Sequence, residues 1–324
     1  MNRQPGSGRS VLVTGAAGSI GSRLCRAMLE SGCRVAGVDD FFSGLRENIE
    51  PLAGDPNFTF LERDVCEPGL LAALNGMIGP FGAVLHMAAV VSAPWSLENP
   101  ERTDAVNRAA ALALHGEARR LGVGAFVFAG SAAEYGLPLA GPAREGMAGE
   151  PQTPYGRSKF LATRAIEASG YGCALRLFNV YGPMEGNPGP YDGVVRRFLD
   201  AALRGEPFAV HGDGGQTRDF VHVDDVVRAL LHASGVWGNE PLRGVFNYGT
   251  GRATSVAELA GMVAAVAGRE LVIRHLPERP GDLHDSQADM GRARAAGLPM
   301  PETRLEDGLR ATWKRLKELG GRSG

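Results

Sequence analysis

Short apolar runs recur along the first half of the chain, each closed by a glycine-rich or acidic break and followed by a helical pattern. "SVLVTG" is the first run, and the pattern after it extends from Ser19 to Ser31 and stops at Gly32. "RVAGVDD", "FTFLERDV", "AVLHMAA", "AFVFAGS" and "CALRLFNVYG" repeat the theme, with an Ala/Leu-rich helical segment at 101–122. Continuously apolar strands are buried on both faces, and strands alternating with helices build a parallel sheet. The pattern predicts an α/β fold with a doubly wound, Rossmann-type parallel sheet.

Past residue 180 the rhythm loosens. "GPMEGNPGPYDG" reads as a loop, "VVRRFLDAALRGE" as a short helix, and a mixed segment leads to "GVFNYGTG". A charged amphipathic helix begins at Leu305. A smaller mixed α/β lobe is expected over 179–324, beside a Rossmann-type domain over 1–178. Residues from about 217 to 250 are expected to return partly to the first domain.

Charge narrows the partners. Lys and Arg number 34 against 36 Asp and Glu, so nothing draws the chain to nucleic acid or an anionic membrane. No apolar stretch is long enough to span a bilayer, and "MNRQPGSGRS" lacks the apolar core of a signal peptide, so a cytoplasmic protein is expected. Cys25, Cys33, Cys66 and Cys173 have no CxxC spacing and read as free thiols. His211, His222, His275 and His284 lack ligand spacing, and no metal is expected.

"VTGAAGSIGSRL" sets Gly15, Gly18 and Gly21 directly after the first strand, where a helix opens. A tight turn, the approach of a pyrophosphate and close helix–strand packing each need a missing side chain. The helix N-terminus then favours phosphate charge. Asp39 closes the second strand at the distance suited to accept the ribose hydroxyls of NAD and repel a 2′-phosphate. NAD is therefore the predicted cofactor; a solvated Asp39-Asp40 pair is the bland alternative. Asp64 and Val65, after the third strand, are expected to flank the adenine.

In "EPQTPYGRSKFLATRAIEASG", Thr153 suits an N-cap, Pro154 a first turn and Gly170 a stop. Tyr155 and Lys159 then share one helix face. A nearby ammonium favours phenolate, so Tyr155 is expected to titrate below its ordinary value of about 10 and serve as a general base. A surface tyrosine and lysine would show the same spacing. Ser131 stands at the tip of the "AFVFAGS" strand.

Taken together, Thr14-Gly15…Gly18…Gly21, "HMAA", Asn107, "GSAAEYG", "PYGRSK", "LRLFNVYGP", "GDGGQTRDFVHVDD", "FNYGTG" and "RPGD" resemble the extended short-chain dehydrogenase/reductase family. The resemblance is to its nucleoside-diphosphate-sugar epimerase and dehydratase branch, over nearly the whole chain. It implies that Ser131 hydrogen-bonds the sugar hydroxyl, Tyr155 is the base, and Lys159 binds the nicotinamide ribose and tunes the tyrosine. It sets Ser19, Ile20, Asp40, Ser43 and Gly44 along the dinucleotide, with Met87, Ala88, Ala89, Asn107 and Phe178. It implies substrate contacts at Ser92, Asn179, Val195, Arg218 and Arg279, the arginines facing a diphosphate. By themselves both arginines read as solvated loop charges. A homodimer is implied through the 101–122 segment and the Tyr155 helix; packing of those faces on the sheet is the alternative.

Members of this branch first oxidise a sugar hydroxyl to a ketone. A 4-epimerase then needs only rotation of the keto sugar and return of hydride. A 4,6-dehydratase must also move a proton beside the ketone, for which relatives carry Asp-Glu after the Ser/Thr; here Ala132 and Ala133 stand there. Decarboxylating relatives carry glutamate at the place of Ala133. Glu134 comes one residue later and is expected to face away or to cap a turn. The favoured reading is 4-epimerisation of a UDP-hexose. UDP-glucuronate epimerase or decarboxylase, 4,6-dehydratase and a non-catalytic nucleotide binder are the alternatives. Ser286, five beyond the glycine of "GD", leaves room for an N-acetyl group where restrictive members carry tyrosine. Glucuronate would need a further cation, for which Arg176 and Arg196 are candidates, though both read first as structural or solvated. His86 reads as a satisfied structural histidine, and Asp224-Asp225 as the cap of the next helix.

Overall fold

The computed structural model describes residues 8–136, 141–149, 151–183, 193–278 and 285–320. Its centre is a parallel sheet of β1 (Ser10–Thr14), β2 (Arg34–Asp39), β3 (Phe58–Glu62), β4 (Ala83–His86), β5 (Ala125–Ser131), β6 (Cys173–Leu177) and the strand Gly244–Tyr248. Across the sheet the order is β3-β2-β1-β4-β5-β6, with Gly244–Tyr248 outermost. The order reverses between β1 and β4, and an open parallel sheet takes its ligand at the carboxyl ends beside such a reversal.

The strands are apolar on both sides because both sides are covered. Val11 and Val13 of β1 join a core with Leu24 and Met28 of α1 (Ser19–Glu30) and with Leu230 of the helix Val223–Ala233. Leu12, between them, points the other way, into a core with Leu71, Leu114 and Ile166. Gly244–Tyr248 pairs with β6 from Gly244↔Cys173 to Tyr248↔Leu177, so the chain returns to the sheet after leaving it.

A third core, with Phe198, Leu199, Phe208, Leu259 and Leu309, holds the smaller lobe together. Three short two-stranded ladders accompany the main sheet. Asn179–Tyr181 runs parallel to Phe220–His222, Phe208–His211 parallel to Ile273–Leu276, and Thr217–Arg218 antiparallel to Thr254–Ser255.

One helix cap differs from expectation. His222, not Asp224-Asp225, caps Val223–Ala233: its Nδ1 accepts the Asp224 N–H at 3.3 Å. A cap residue must still have extended backbone, as His222 does, whereas both aspartates already lie in the first turn. There their charge faces the positive end of the helix dipole. Cys25, Cys33, Cys66 and Cys173 are free thiols. No helix among the described residues is long and apolar enough to cross a membrane. Most of "GPMEGNPGPYDG", together with Arg279, the "GD" glycine and His284, lies outside the described residues.

Candidate active site

α1 starts at Ser19 with Gly18 as its N-cap and no side-chain cap bond, and it opens on a cavity of about 240 Å3. Gly15, Gly18, Ser19, Ile20 and Gly21 form one wall. Asp39, Asp40, Ser43 and Gly44 form the second, and Val65, Met87, Ala88 and Ala89 the third. Two positions exclude any side chain. Gly15 has φ +69°, and a Cβ there would stand 2.6 Å from the Ala88 nitrogen. At Gly21 a Cβ would fall 1.9 Å from the Gly15 carbonyl oxygen. The Asp39 carboxylate is fixed by the N–H groups of Ala17 and Phe41, at 2.9 and 2.8 Å. Burial raises its pKa, Asp40 adds to that, and the N–H bonds oppose it. An uncapped helix N-terminus and an anchored carboxylate fit the pyrophosphate and ribose of a dinucleotide.

Asp64 and Asn107 stand apart from these walls. The Asp64 carboxylate accepts from Arg102 at 2.9 Å, and Arg102 also reaches Asp40 at 3.6 Å. Asn107 sits in a π-helical turn, Ala105–Ala110, and is fully buried. It accepts the Val90 N–H at 2.8 Å and donates to the Val90 carbonyl at 2.9 Å and to Ser158 Oγ at 3.2 Å. It thereby ties the cavity's third wall to the helix Pro154–Ala168. Sequence reading passed over Phe42, Arg63 and Arg102, which also line the cavity. Arg102 carries no local signal, because its partners Asp40 and Asp64 lie in the loops after β2 and β3, far away in sequence.

At the end of β5 the chain enters a tight turn, Ala132–Glu134, closed by a reciprocal cap. Ser131 Oγ accepts the Ala133 N–H at 3.2 Å, and Glu134 Oε1 accepts the Ser131 N–H at 2.9 Å. Opposite, Thr153 Oγ1 accepts the Gly156 N–H at 3.1 Å and starts the helix as its sequence predicts. A Cβ on Gly156 would lie 2.5 Å from the Ala133 carbonyl oxygen, so the helix start rests directly on the turn. That contact sets the half-buried Tyr155 beside Ser131, whose hydroxyl acts on the phenol. Ser96, buried and unforeseen, accepts the Tyr155 N–H at 3.2 Å. Lys159 is 2% exposed; its Nζ donates to the Ala129 carbonyl at 2.9 Å and lies 4.7 Å from the centre of the Phe128 ring.

The charge states depart from the simple expectation. Burial raises the Tyr155 pKa; the Ser131 hydroxyl pulls it back, and negative Glu134 pushes it further up. Lys159 is lowered to about 8 by burial, with Glu134 opposing. Loss of water around both groups outweighs their spacing on the helix.

Glu134 is fully buried: Oε1 also accepts from Thr163 at 2.9 Å, and Oε2 meets Arg176 Nε at 2.6 Å. Arg196 is buried against Asp200 at 2.9 Å, so both arginines take the structural reading. His86 is satisfied on one side only. Its Nδ1 lies 2.7 Å from Thr14 Oγ1, while Nε2 is buried with no hydrogen-bond partner. It stacks on Phe126 and Phe128, and burial lowers its pKa to about 3, so it is neutral.

A second cavity, of about 600 Å3, opens under the lobe and carries Asn179 and Arg218 together with Arg197, Arg204, Arg274, His211 and Gln216. Val194 lines it, while Val195 is buried in the lobe core. Phe178 is buried in the main core. Ser92 caps the helix Ala93–Glu98, accepting from Trp95 at 3.2 Å. Ser286 is half-buried, next to Gln287, whose carbonyl accepts the Ala143 N–H at 2.8 Å.

The profile of the NAD dependent epimerase/dehydratase family matches residues 11–249. The chain belongs to this family. A UDP-glucose 4-epimerase of Mycolicibacterium smegmatis is 35% identical over 309 residues, 93% of this chain and 96% of the relative. Among solved structures, the UDP-N-acetylglucosamine 4-epimerase from Methanobrevibacter ruminantium M1, in complex with UDP-N-acetylmuramic acid, matches with a TM-score of 0.88 at 29% identity. That match covers 96% of this chain and 99% of the other. The UDP-glucuronic acid 4-epimerase from Bacillus cereus, in complex with UDP-glucuronic acid and NAD, gives 0.85 at 27% identity, covering 96% and 99%. The family is one of NAD-dependent enzymes, and these three members act on different sugars.

Proposed function

We propose that the protein inverts carbon 4 of a UDP-sugar, a UDP-hexose or UDP-N-acetylhexosamine, through a 4-keto intermediate. The observation that carries this reading is the meeting of Ser131 and Tyr155, with Lys159 buried one helical turn on, beside a segment that offers no free acid or base. In this reading Tyr155 takes the proton of the 4-hydroxyl as that carbon is oxidised and returns one on reduction. Ser131 hydrogen-bonds the same oxygen and holds the phenol in line. Lys159 keeps positive charge behind the pair. NAD, when bound, supplies the hydride acceptor and donor for carbon 4 and a positive ring beside the phenol. The Gly15–Gly21 turn and the head of α1 would hold its pyrophosphate, and Asp39 its ribose. Asn179 and Arg218, with Arg279 as a second cation, would hold the nucleotide diphosphate of the substrate. Residues 1–178 would carry the cofactor, with Val223–Ala233 and Gly244–Tyr248 returned to that domain, and the rest of 179–324 the nucleotide sugar.

Epimerisation is favoured over elimination because Ala132 and Ala133 have no proton to exchange, and Glu134 is occupied by Ser131, Thr163 and Arg176. A second copy of the chain is the partner this reading adds. It would dock through the 101–122 segment and the Tyr155 helix, which pack side by side.

The test is to offer UDP-glucose, UDP-N-acetylglucosamine and UDP-glucuronate to the purified protein without added NAD and to read the products by proton NMR. Inverted configuration at carbon 4 is expected with one of the first two, and Tyr155→Phe should keep bound dinucleotide while turnover drops by about a thousandfold. Loss of water or carbon dioxide, or substantial turnover by Tyr155→Phe, would overturn the reading.

A further inference from the structure

Glu134 joins three elements that the reaction needs in register. One oxygen holds the backbone N–H of Ser131 on the β5 turn and the hydroxyl of Thr163, while the other holds Arg176 on β6. Thr163 is four residues beyond Lys159, on the same helix face, so the carboxylate lies one turn below the ammonium. A Cβ on Gly130 would stand 2.8 Å from Glu134 Oε1, so the carboxylate fills the space beneath the strand tip. Arg176 is held in turn: its Nη1 donates to the Glu145 carbonyl at 2.7 Å, and its guanidinium lies 5.2 Å from the centre of the Tyr135 ring.

We propose that Glu134, anchored by Arg176, is a positioning residue for the reaction. It locks Ser131 against the Tyr155–Lys159 helix and sets a fixed negative charge beneath that pair. This rests on the function proposed above. The physics has a definite sign. A buried anion one turn from Lys159 favours its ammonium and disfavours the Tyr155 phenolate, as the shifts of both groups record. Removing the charge therefore moves both titrations to lower pH. Among the described residues, His86 on β4, neutral in the fold, faces Lys159, while Tyr135 and Glu145, whose Oε1 accepts the Asn247 N–H at 2.9 Å, lie on the Arg176 side.

Glu134→Gln keeps the shape and removes the charge. The pH profile of kcat and the ultraviolet titration of tyrosinate, taken as the difference from Tyr155→Phe in each background, should both shift down by about one pH unit. Glu134→Asp, which keeps the charge, should lose turnover but leave the limbs at their wild-type positions. If Glu134→Gln leaves the Arg176 charge too costly to fold around, Glu134→Gln/Arg176→Met removes both charges and should show a smaller shift in the same downward direction, because loss of the Arg176 charge opposes loss of the carboxylate. A profile lowered at every pH with unmoved limbs, an unmoved tyrosinate titration, or failure of both variants to fold would overturn the proposal and leave the pair a structural role. If the wild-type chain epimerises no UDP-sugar, the functional reading fails, and the tyrosinate titration still decides this one.

Discussion

The cavity at the head of α1 and the cavity under the lobe are built from different materials. The tightest side of the first is backbone and small side chains from one stretch of seven residues, Gly15–Gly21, while Phe42, Arg63 and Arg102 reach its other sides. The second has no glycine turn among the described residues; its charged and polar side chains, set among apolar ones such as Phe198 and Leu276, come from separate segments: Asn179, the helix Val194–Arg204, the strands ending at His211 and Arg218, and Arg274. A backbone wall is rigid, and its shape is part of the fold. A wall of arginines is held by neighbours such as Glu206, 3.0 Å from Arg204, and can change without unfolding the chain. The first should therefore tolerate no change, and the second should trade affinity and choice of sugar while the fold persists.

The strongest test of that contrast is Gly21→Ala. The added Cβ would meet the Gly15 carbonyl oxygen at 1.9 Å, a contact only backbone movement can relieve. Dinucleotide retention should be lost and unfolding free energy should fall by about 3 kcal/mol, read by cofactor release and a denaturant melt. A variant that keeps wild-type stability and bound cofactor would break the comparison. Arg218→Ala should act next most strongly, and differently. Loss of a charge-assisted hydrogen bond worth about 1.5–3 kcal/mol should raise KM for the nucleotide sugar by roughly ten- to a hundredfold, with kcat and melting temperature little changed. A collapse of kcat at constant KM would move Arg218 out of the binding role.

The smallest expected effect sharpens the rigid side. His86 stays unprotonated in the fold down to about pH 3, whereas an unfolded chain protonates it near its ordinary 6.5. Between those values the unfolded state binds the extra proton, so stability falls as pH falls, by at most about 1.4 kcal/mol per pH unit. His86→Asn should flatten the acid side of stability measured between about pH 6 and 4, leaving the neutral midpoint closer to wild type. An unchanged acid slope would show that His86 does not report the dryness of the sheet end.

The glycine turn and the Thr153 cap were legible in the sequence because each is satisfied within a few residues; Asp39 was legible from its place at a strand end, although the Ala17 N–H that holds it comes from 22 residues away. Asn107 was flagged as a cofactor contact, yet its amide bonds Val90 and Ser158, a role no spacing reveals. Glu134 was legible as a cap, and the cap is there, but its second oxygen meets a partner 42 residues away. The direction of the Tyr155 shift was misread for a related reason: helix spacing shows the nearby ammonium but not the water lost around the phenol.

The chain's own pattern determined a parallel sheet covered on both faces, a side-chain-free turn at the head of α1, and a phenol and an ammonium one helical turn apart. Backbone sterics and burial periodicity act over a few residues, and that range is written directly in the residue order. The tertiary structure decided that Gly156 could rest on the Ala133 carbonyl and bring Tyr155 to Ser131, and that Glu134 would lie dry against Arg176 beneath them. Charge states follow from which groups lose water together, and only the packed fold brings those groups into one place.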